Sequence, residues 1–241
     1  MATATASKRR RSEQPRIDDS VEEGPCVNLP AAAISLDNFR AWVLSDEFPE
    51  KVRVTYVDKE IYLDMSKEEL ESHAAVKTEI SWVLTGLARH ARKGKFYLDG
   101  VLVTNVAAGI SNNPDAVFVS RESLELGRIR FMPRKPAEGS YFELVGTPDW
   151  VLEIVSKSSV RKDTQQLRQA NHKAGIPEYW IVDARGDELN FQILHGRKNG
   201  YVAAPSKAGW QRSRVFDRWF RLTRTRDDMG YWEYDLAMRS T

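Results

Sequence analysis

The chain has 241 residues, of which 41% are hydrophobic and 29% are charged, a composition typical of a globular protein. A single cysteine excludes an internal disulfide framework and a thiolate zinc cluster, and a net charge of +2 does not by itself indicate a nucleic-acid binder. Because no apolar run could span a bilayer or act as a signal core, the expected location is the cytoplasm.

The amino-terminal segment differs in composition from the rest of the chain. The stretch "SKRRRSEQPR" joins a basic run to Ser, Pro and Glu, so residues 1–30 are expected to form a disordered arm. The first interpretation is a solvated tail, and the second is an arm that contacts phosphates. Residues 31–241 are expected to form one domain.

The first predicted elements are a short helix and a hairpin. Ser35 is a candidate cap for the helix, and Pro49 closes it. Alternating residues in "KVRVTYVDKEIYLDM", with a turn at Asp58 and Lys59, then predict a β-hairpin that carries no evident chemistry.

The longest predicted helix follows the hairpin. A capping box of Ser66 and Glu69 would begin it. His73 and Glu79 flank its apolar stripe on opposite sides, where either could reach a neighbouring cleft, whereas Glu71 points to solvent.

The second half of the chain alternates strands and one helix. Strands are predicted in "NNPDAVFVS", "TPDWVLEIVS" and "IPEYWIVD", with a helix from Asp163 to about Ala174 before the last of these. Further alternating runs predict antiparallel strands near the end. The order indicates an α/β fold, with a mixed central β-sheet flanked by helices and additional antiparallel strands.

One acidic residue stands inside an apolar run. Glu153 lies in the strand "WVLEIV", and a buried carboxylate needs a compensating cation or donor. Asp149 is roughly 13 Å away along the same strand, too far to share one metal ion. If the strands that carry Asp115 and Glu153 pair, their carboxylates come close enough to bind one Mg²⁺, which suits phosphodiester hydrolysis. Alternatively, Asp115 caps a loop while Glu153 pairs with a buried Arg or accepts backbone donors.

Three linked blocks, "NNPDAVFVS", "TPDWVLEIVSKSSVRKDT" and "AGIPEYWIVDAR", carry a family resemblance. In this order they resemble the Uma-type family of putative restriction endonucleases, within the PD-(D/E)XK nuclease superfamily. The resemblance implies a restriction-endonuclease-like fold and a DNA endonuclease that uses Mg²⁺, with Mn²⁺ as a substitute. It also implies that Asp115, Glu153 and the backbone carbonyl of Ile154 bind the metal. Glu79 matches an acidic residue often present on the first core helix, and the resemblance makes it a further candidate metal ligand.

The lysine of the superfamily is missing from its usual position. Val155 stands two residues after the acid, and the alternative position on the next helix corresponds to Leu167. The resemblance leaves Arg168, Lys162 and Lys157 as candidate catalytic cations; Arg168 could stabilise charge but not act as a base. Each could instead belong to a solvated basic surface.

Other polar clusters give weaker signals. His73 matches a histidine near the family's cleft and is a candidate supporting residue, whereas the four scattered histidines do not indicate a zinc site. The stretch "GWQRSRVFDRWFRLTRTR" interleaves six arginines with aromatic residues that could bind nucleic acid or pack in a core.

Two rival functions remain at this stage. The first is a catalytically inactive module that keeps the nuclease fold and binds DNA or assembles with other proteins. The second is an acid/base hydrolase that needs no metal. The expected partners of an active nuclease are DNA and a second copy of the chain in a homodimer, without a membrane. The sequence does not distinguish DNA from RNA.

Overall fold

The computed structural model describes residue 29 and residues 35–49, 52–91, 93–133 and 139–240. Four α-helices lie in these ranges: Leu36–Val43 (α1), Ala75–His90 (α2), Arg121–Glu125 (α3) and Leu167–Lys173 (α4). Two π-helical turns, Leu70–Ala74 and Lys162–Gln166, lead into α2 and α4. The predicted arm lies outside the described residues except for Leu29. No helix of these ranges is long and apolar enough to cross a membrane.

Sixteen strands occur in the described ranges. They are Arg53–Val57 (β1), Glu60–Asp64 (β2), Gly94–Leu98 (β3), Leu102–Asn105 (β4), Ile110–Asn112 (β5), Ala116–Ser120 (β6), Ile129–Pro133 (β7), Tyr141–Gly146 (β8), Trp150–Ile154 (β9), Glu178–Asp183 (β10), Asn190–Arg197 (β11), Gly200–Ala203 (β12), Ser206–Lys207 (β13), Trp210–Ser213 (β14), Arg218–Arg226 (β15) and Trp232–Arg239 (β16).

The strands form three sheets. Sheet A has the order β2-β1-β5-β4-β8-β7, sheet B the order β12-β11-β10-β9-β6-β3, and sheet C the order β13-β14-β15-β16. Sheet B is mixed, since β9 runs parallel to β10 and antiparallel to β6. The predicted mixed α/β fold is therefore confirmed.

Local sequence signals explain the first hairpin. Strands β1 and β2 pair antiparallel through a turn in which Asp58 and Lys59 have φ values of 52° and 64°. Two consecutive positive φ angles give the twist that a two-residue hairpin needs. The predicted hairpin is confirmed. The predicted capping box is wrong, because Glu69 itself caps the π-helical turn, whereas Ser66 bonds to Asp64.

Sheet B has an apolar layer on each face. Alternate residues of β6 and β9, such as Val117 and Val151, belong to the core shared with sheet A and α4. The intervening residues, such as Trp150, pack with α2 and sheet C. The Trp150 ring lies 5.4 Å from that of Trp180 and 5.6 Å from that of Phe216. Burial on both faces explains why these strands read as continuous apolar runs.

The arginine-rich segment near the carboxyl terminus forms much of sheet C. Its Phe220 is fully buried, whereas Arg221 stacks over the Trp210 ring at 4.9 Å and Arg224 over the Trp232 ring at 4.1 Å. These cation–π contacts stabilise the sheet. A role for these arginines in nucleic-acid binding stays a prediction.

Glu178 joins sheet B to sheet C. It is fully buried, and its Oε1 accepts hydrogen bonds from Trp180 Nε1 at 2.7 Å and Ser213 Oγ at 2.6 Å. Its Oε2 accepts the backbone N–H of Arg214 at 2.7 Å and of Val215 at 3.3 Å. Both carboxylate oxygens are therefore used by the fold, and Glu178 has a structural role.

We expect Glu178→Ala to lower the free energy of unfolding by about 3 kcal/mol or more, because several buried donors lose their acceptor. Urea denaturation would measure the loss. The exposed Glu188 provides a control, since Glu188→Ala should change stability by less than about 0.5 kcal/mol. Equal midpoints for the two variants would contradict the structural role of Glu178.

Candidate active site

Two acidic side chains meet where β6 begins. Strand β6 pairs antiparallel with β9, with Ala116 opposite Leu152, so the same register sets Asp115 opposite Glu153. Opposite residues of such a pair point to the same face of a sheet. Both side chains are buried and line one cavity of about 40 Å³ between sheets A and B. The strand pairing predicted for these two acids is confirmed.

Glu153 carries a carboxylate in an unfavourable environment. Its Oε1 accepts a hydrogen bond from Asn112 Nδ2 at 2.7 Å. Burial, opposed by the charge of Lys162 and reinforced by those of Asp163 and Asp115, raises the pKa of Glu153 well above its usual value. A divalent cation would supply the positive charge that the ionised carboxylate lacks.

The pKa of Asp115 shifts in the opposite direction to that of Glu153. Its Oδ2 accepts the backbone N–H of Ile154 at 2.7 Å, and its Oδ1 lies 3.4 Å from His73 Nε2 and 3.1 Å from Lys77 Nζ. Burial disfavours its charge, but His73, Lys77 and the N–H of Ile154 outweigh burial and lower the pKa of Asp115 to about 2. Asp115 is therefore ionised across the neutral pH range.

Lys77 is a site residue that sequence reasoning missed. It is buried on α2, and its Nζ lies 2.9 Å from both carboxylate oxygens of Asp99 and also contacts Glu68. Burial lowers the pKa of Lys77, but Asp115, Glu68 and Asp99 raise it by more, so the ammonium stays charged. The available signal was its position four residues after His73, on the same helix face.

Lys162 is the predicted cation that the fold brings to the cavity. It lies on the π-helical turn after β9 and forms an ion pair with Asp163. Burial lowers the pKa of Lys162, but attraction to Glu153 and Asp163 raises it by more. Asp163, the predicted first residue of the helix, lies inside the π-helical turn and lines the cavity.

The hairpin also contributes to the cavity, contrary to the prediction that it carries no chemistry. Arg53, Thr55, Tyr62 and Asp64 line the cavity. Tyr62 donates a hydrogen bond to Gln166 Oε1 at 2.7 Å and so ties β2 to the turn that carries Lys162. The strand alternation predicted the hairpin, but it gave no indication of what would pack against it.

Three predicted site residues lie outside this cavity. Glu79 was predicted as a metal ligand, but its Oε1 accepts the backbone N–H of Leu236 at 2.8 Å, because it projects from α2 toward sheet C. Arg168 donates to the carbonyl oxygen of Tyr201 at 3.3 Å, since it lies on the side of α4 that faces β12. Lys157 is exposed and lines an adjoining groove. The structure does not bring these three side chains to Asp115.

Donor atoms in and beside the cavity offer two possible arrangements for a divalent cation, and both include Asp115. One is the predicted pair of Asp115 and Glu153, whose carboxylate oxygens are ligands that hard cations prefer. Ile154, whose carbonyl is the predicted third ligand, is also among the residues that line the cavity. In the other, Glu68, His73 and Asp115 each offer one ligand atom, and these atoms lie within 4.8 Å of one another.

The two central acids should have opposite effects on stability when neutralised in metal-free buffer. Glu153→Gln keeps an acceptor for Asn112 and removes a carboxylate that burial disfavours. Because the folded pKa of Glu153 is raised, its carboxyl group destabilises the fold as pH rises above the unfolded value. We expect the melting temperature of Glu153→Gln to exceed that of the parent by about 2–4 °C at pH 8, and to equal it near pH 4.

Asp115→Asn is the matched comparison. The pKa of Asp115 is lowered to about 2, so its charge stabilises the fold above the unfolded pKa and this contribution is lost as pH falls toward 2. Asp115→Asn should therefore melt below the parent at pH 8. Thermal unfolding at pH 4 and pH 8 tests both variants. A melting temperature of Glu153→Gln below that of the parent at pH 8 would contradict the conclusion that the ionised Glu153 carboxylate destabilises the fold.

Comparison with known proteins gives the family. Residues 36–223 match the Uma2 family model, described as "Putative restriction endonuclease", whereas no curated protein matches the chain. The fold is similar to a crystal structure of a putative nuclease belonging to DUF820 from Anabaena variabilis, with a TM-score of 0.54 and 17% identity over 76% of this chain and 90% of that chain. At this identity the likeness establishes the fold alone. The family model covers more than half of the chain, which therefore belongs to the Uma2 family of putative restriction endonucleases.

Proposed function

We propose that the chain is an endonuclease that hydrolyses DNA phosphodiester bonds with Mg²⁺ held by Asp115 and Glu153, and that Mn²⁺ can substitute. One observation carries the proposal: two buried carboxylates from paired strands line one cavity together with Lys162. Burying two carboxylates side by side is unfavourable unless positive charge compensates them, and a bound divalent cation would supply such charge.

The two acids have different tasks in this mechanism. Asp115 is already ionised and is fixed in orientation by the N–H of Ile154. Because burial raises the pKa of Glu153, protonation of this carboxylate competes with cation binding. When bound, a divalent ion neutralises charge on the phosphoryl oxygens and activates a water molecule.

Lys162 takes the place of the missing lysine in this proposal. Val155, at the usual position, is buried among apolar side chains and offers no charge. Lys162 has a raised pKa and therefore stays protonated, so it acts as a cation that orients a phosphate group and stabilises the charge that develops on it. A role for Lys162 as the general base is disfavoured for the same reason.

A larger groove adjoins the cavity and suits a phosphate backbone. It has a volume of about 670 Å³ and shares Arg53, His73 and Ser156 with the cavity. Five basic residues (Arg53, Lys67, Lys157, Arg185 and Arg226) and four acidic ones (Glu68, Glu69, Glu71 and Asp187) line it. The three arginines form ion pairs with acidic side chains, whereas the two lysines are exposed and can face a phosphate backbone. Exposed lysines of such a groove can contact phosphates without reading the base sequence. Lys157 is thus proposed as a phosphate-contacting residue rather than a catalyst.

Cleavage of supercoiled plasmid in Mg²⁺ tests the proposed activity. Asp115→Asn and Glu153→Gln should each lose at least about 10³-fold in rate, and Lys162→Met about 10²-fold, because an electrostatic stabiliser is removed. A chelator should abolish cleavage by the parent. Glu125→Gln is a matched control, since Glu125 is exposed and pairs with Arg121 on the surface, and it should cleave at the parent rate.

The assay separates the proposal from its rivals. Cleavage that persists in a chelator would favour an acid/base hydrolase, and binding without cleavage would favour an inactive module. An RNA substrate of the same sequence tests the choice of DNA. Equal rates for the parent, Asp115→Asn and Glu153→Gln would overturn the proposal. The homodimer and the cytoplasmic location stay predictions.

DNA binding should depend on the groove lysines. Lys67→Ala and Lys157→Ala should each weaken binding and reduce the slope of log K against log salt by about 0.9, the contribution of one phosphate contact. Fluorescence anisotropy at several salt concentrations measures this slope. Lys198→Ala removes another exposed charge that does not line the groove and should leave the slope unchanged. A common slope for all three variants would contradict binding in the groove.

A further inference from the structure

Glu68, His73 and Asp115 form a candidate cation site, and the Lys77 ammonium contacts two of these three residues. Lys77 Nζ lies 3.1 Å from Asp115 Oδ1 and is in direct contact with Glu68 Oε1. These are two of the three residues whose ligand atoms lie within 4.8 Å of one another. Lys77 is only 6% exposed, so the ammonium is a fixed part of the site.

We propose that Lys77 is a resident cation that occupies the position of a second divalent ion. The site therefore holds one exchangeable ion, bound between Asp115 and Glu153, and the Glu68 side of Asp115 is closed to metal. This inference rests on the proposed function for the first ion. The vacancy that it predicts on removal of Lys77 does not depend on that function.

The contacts of Lys77 account for its exclusion of metal. An ammonium has three hydrogen-bond donors, and Lys77 reaches three carboxylates: Glu68, Asp99 and Asp115. Arg53 Nη1 adds a second positive charge 3.7 Å from Asp115 Oδ1 and 3.9 Å from Glu68 Oε1. A divalent ion at this position would have to displace a buried cation that already contacts two of the three ligand residues, Glu68 and Asp115.

The same contacts give Lys77 a positioning role. The ammonium faces Oδ1 of Asp115, while Oδ2 accepts the N–H of Ile154, so the carboxylate is held from two sides. A tethered ammonium supplies positive charge beside Asp115 at any metal concentration. One bound ion is then enough for a site whose residues would otherwise provide for two.

The experiment counts Mn²⁺ bound to the full chain by titration calorimetry and electron paramagnetic resonance. The parent should bind one Mn²⁺ and Lys77→Met two, because loss of the ammonium opens the triad. Lys77→Arg, which keeps the charge, should still bind one. Adding Glu68→Gln to Lys77→Met should return the count to one.

The second ion should have its own spectroscopic signature. His73 is the nitrogen ligand of the triad, so Mn²⁺ bound to Lys77→Met should show coupling to a histidine nitrogen that is absent from the parent. Addition of His73→Phe to Lys77→Met should remove this coupling. Neither signal depends on nuclease activity.

The outcomes separate this inference from the proposed function. If the single variant Glu153→Gln still binds one Mn²⁺, the proposed function is overturned. If a folded Lys77→Met binds no additional Mn²⁺, the proposed role of Lys77 is overturned. If Lys77→Met fails to fold, the number of Mn²⁺ ions bound by the single variant Glu68→Gln tests the role of Lys77 instead. An unchanged count supports the resident cation, and loss of an ion overturns it.

Discussion

Asp115 and Glu153 lie opposite each other on paired strands, and the cost of burying both carboxylates sets the requirement that the rest of the site meets. The surrounding cations are unevenly distributed. Lys77, His73 and Arg53 lie on the side of Asp115, whereas Lys162 is the cation nearest to Glu153. The pKa of Asp115 is accordingly lowered and that of Glu153 raised. The ionised form of Glu153 is thus the less compensated of the two carboxylates, and a bound ion would contribute most there.

The architecture explains how so polar a cluster is tolerated between two apolar sheets. The charged side chains come from the ends of elements: the residue before β6, the last residues of β9, the turn into α2 with the first residues of that helix, and the turn after β9. Apart from Glu153, the residues of β9 are apolar, and the two cores lie on either side of sheet B. Glu178 shows the contrasting solution, because its carboxylate is buried but satisfied entirely by donors of the protein.

Sequence reasoning identified the elements and the two acids, since these depend on local signals. Alternation and turn residues predicted the β1–β2 hairpin, and the apolar run around Glu153 marked a buried charge. It missed Lys77, Asp163 and the hairpin side chains, because their positions depend on packing between segments far apart in the chain. It placed Glu79 at the site because an acidic residue on the first core helix fits the family pattern. The rotation of α2 sends that side chain to sheet C instead.

The two π-helical turns make the cavity sensitive to the length of the chain that leads into α2 and α4. Each holds one extra residue per turn compared with an α-helix, and they carry His73 and Lys162, which both reach the cavity. Deleting one residue from either turn would restore an ordinary helix and rotate the preceding side chains by about 100° about its axis. A deletion or insertion of one residue can therefore move these side chains into or out of the cavity without changing the sheets. A comparison of aligned residue identities alone would not detect such a change.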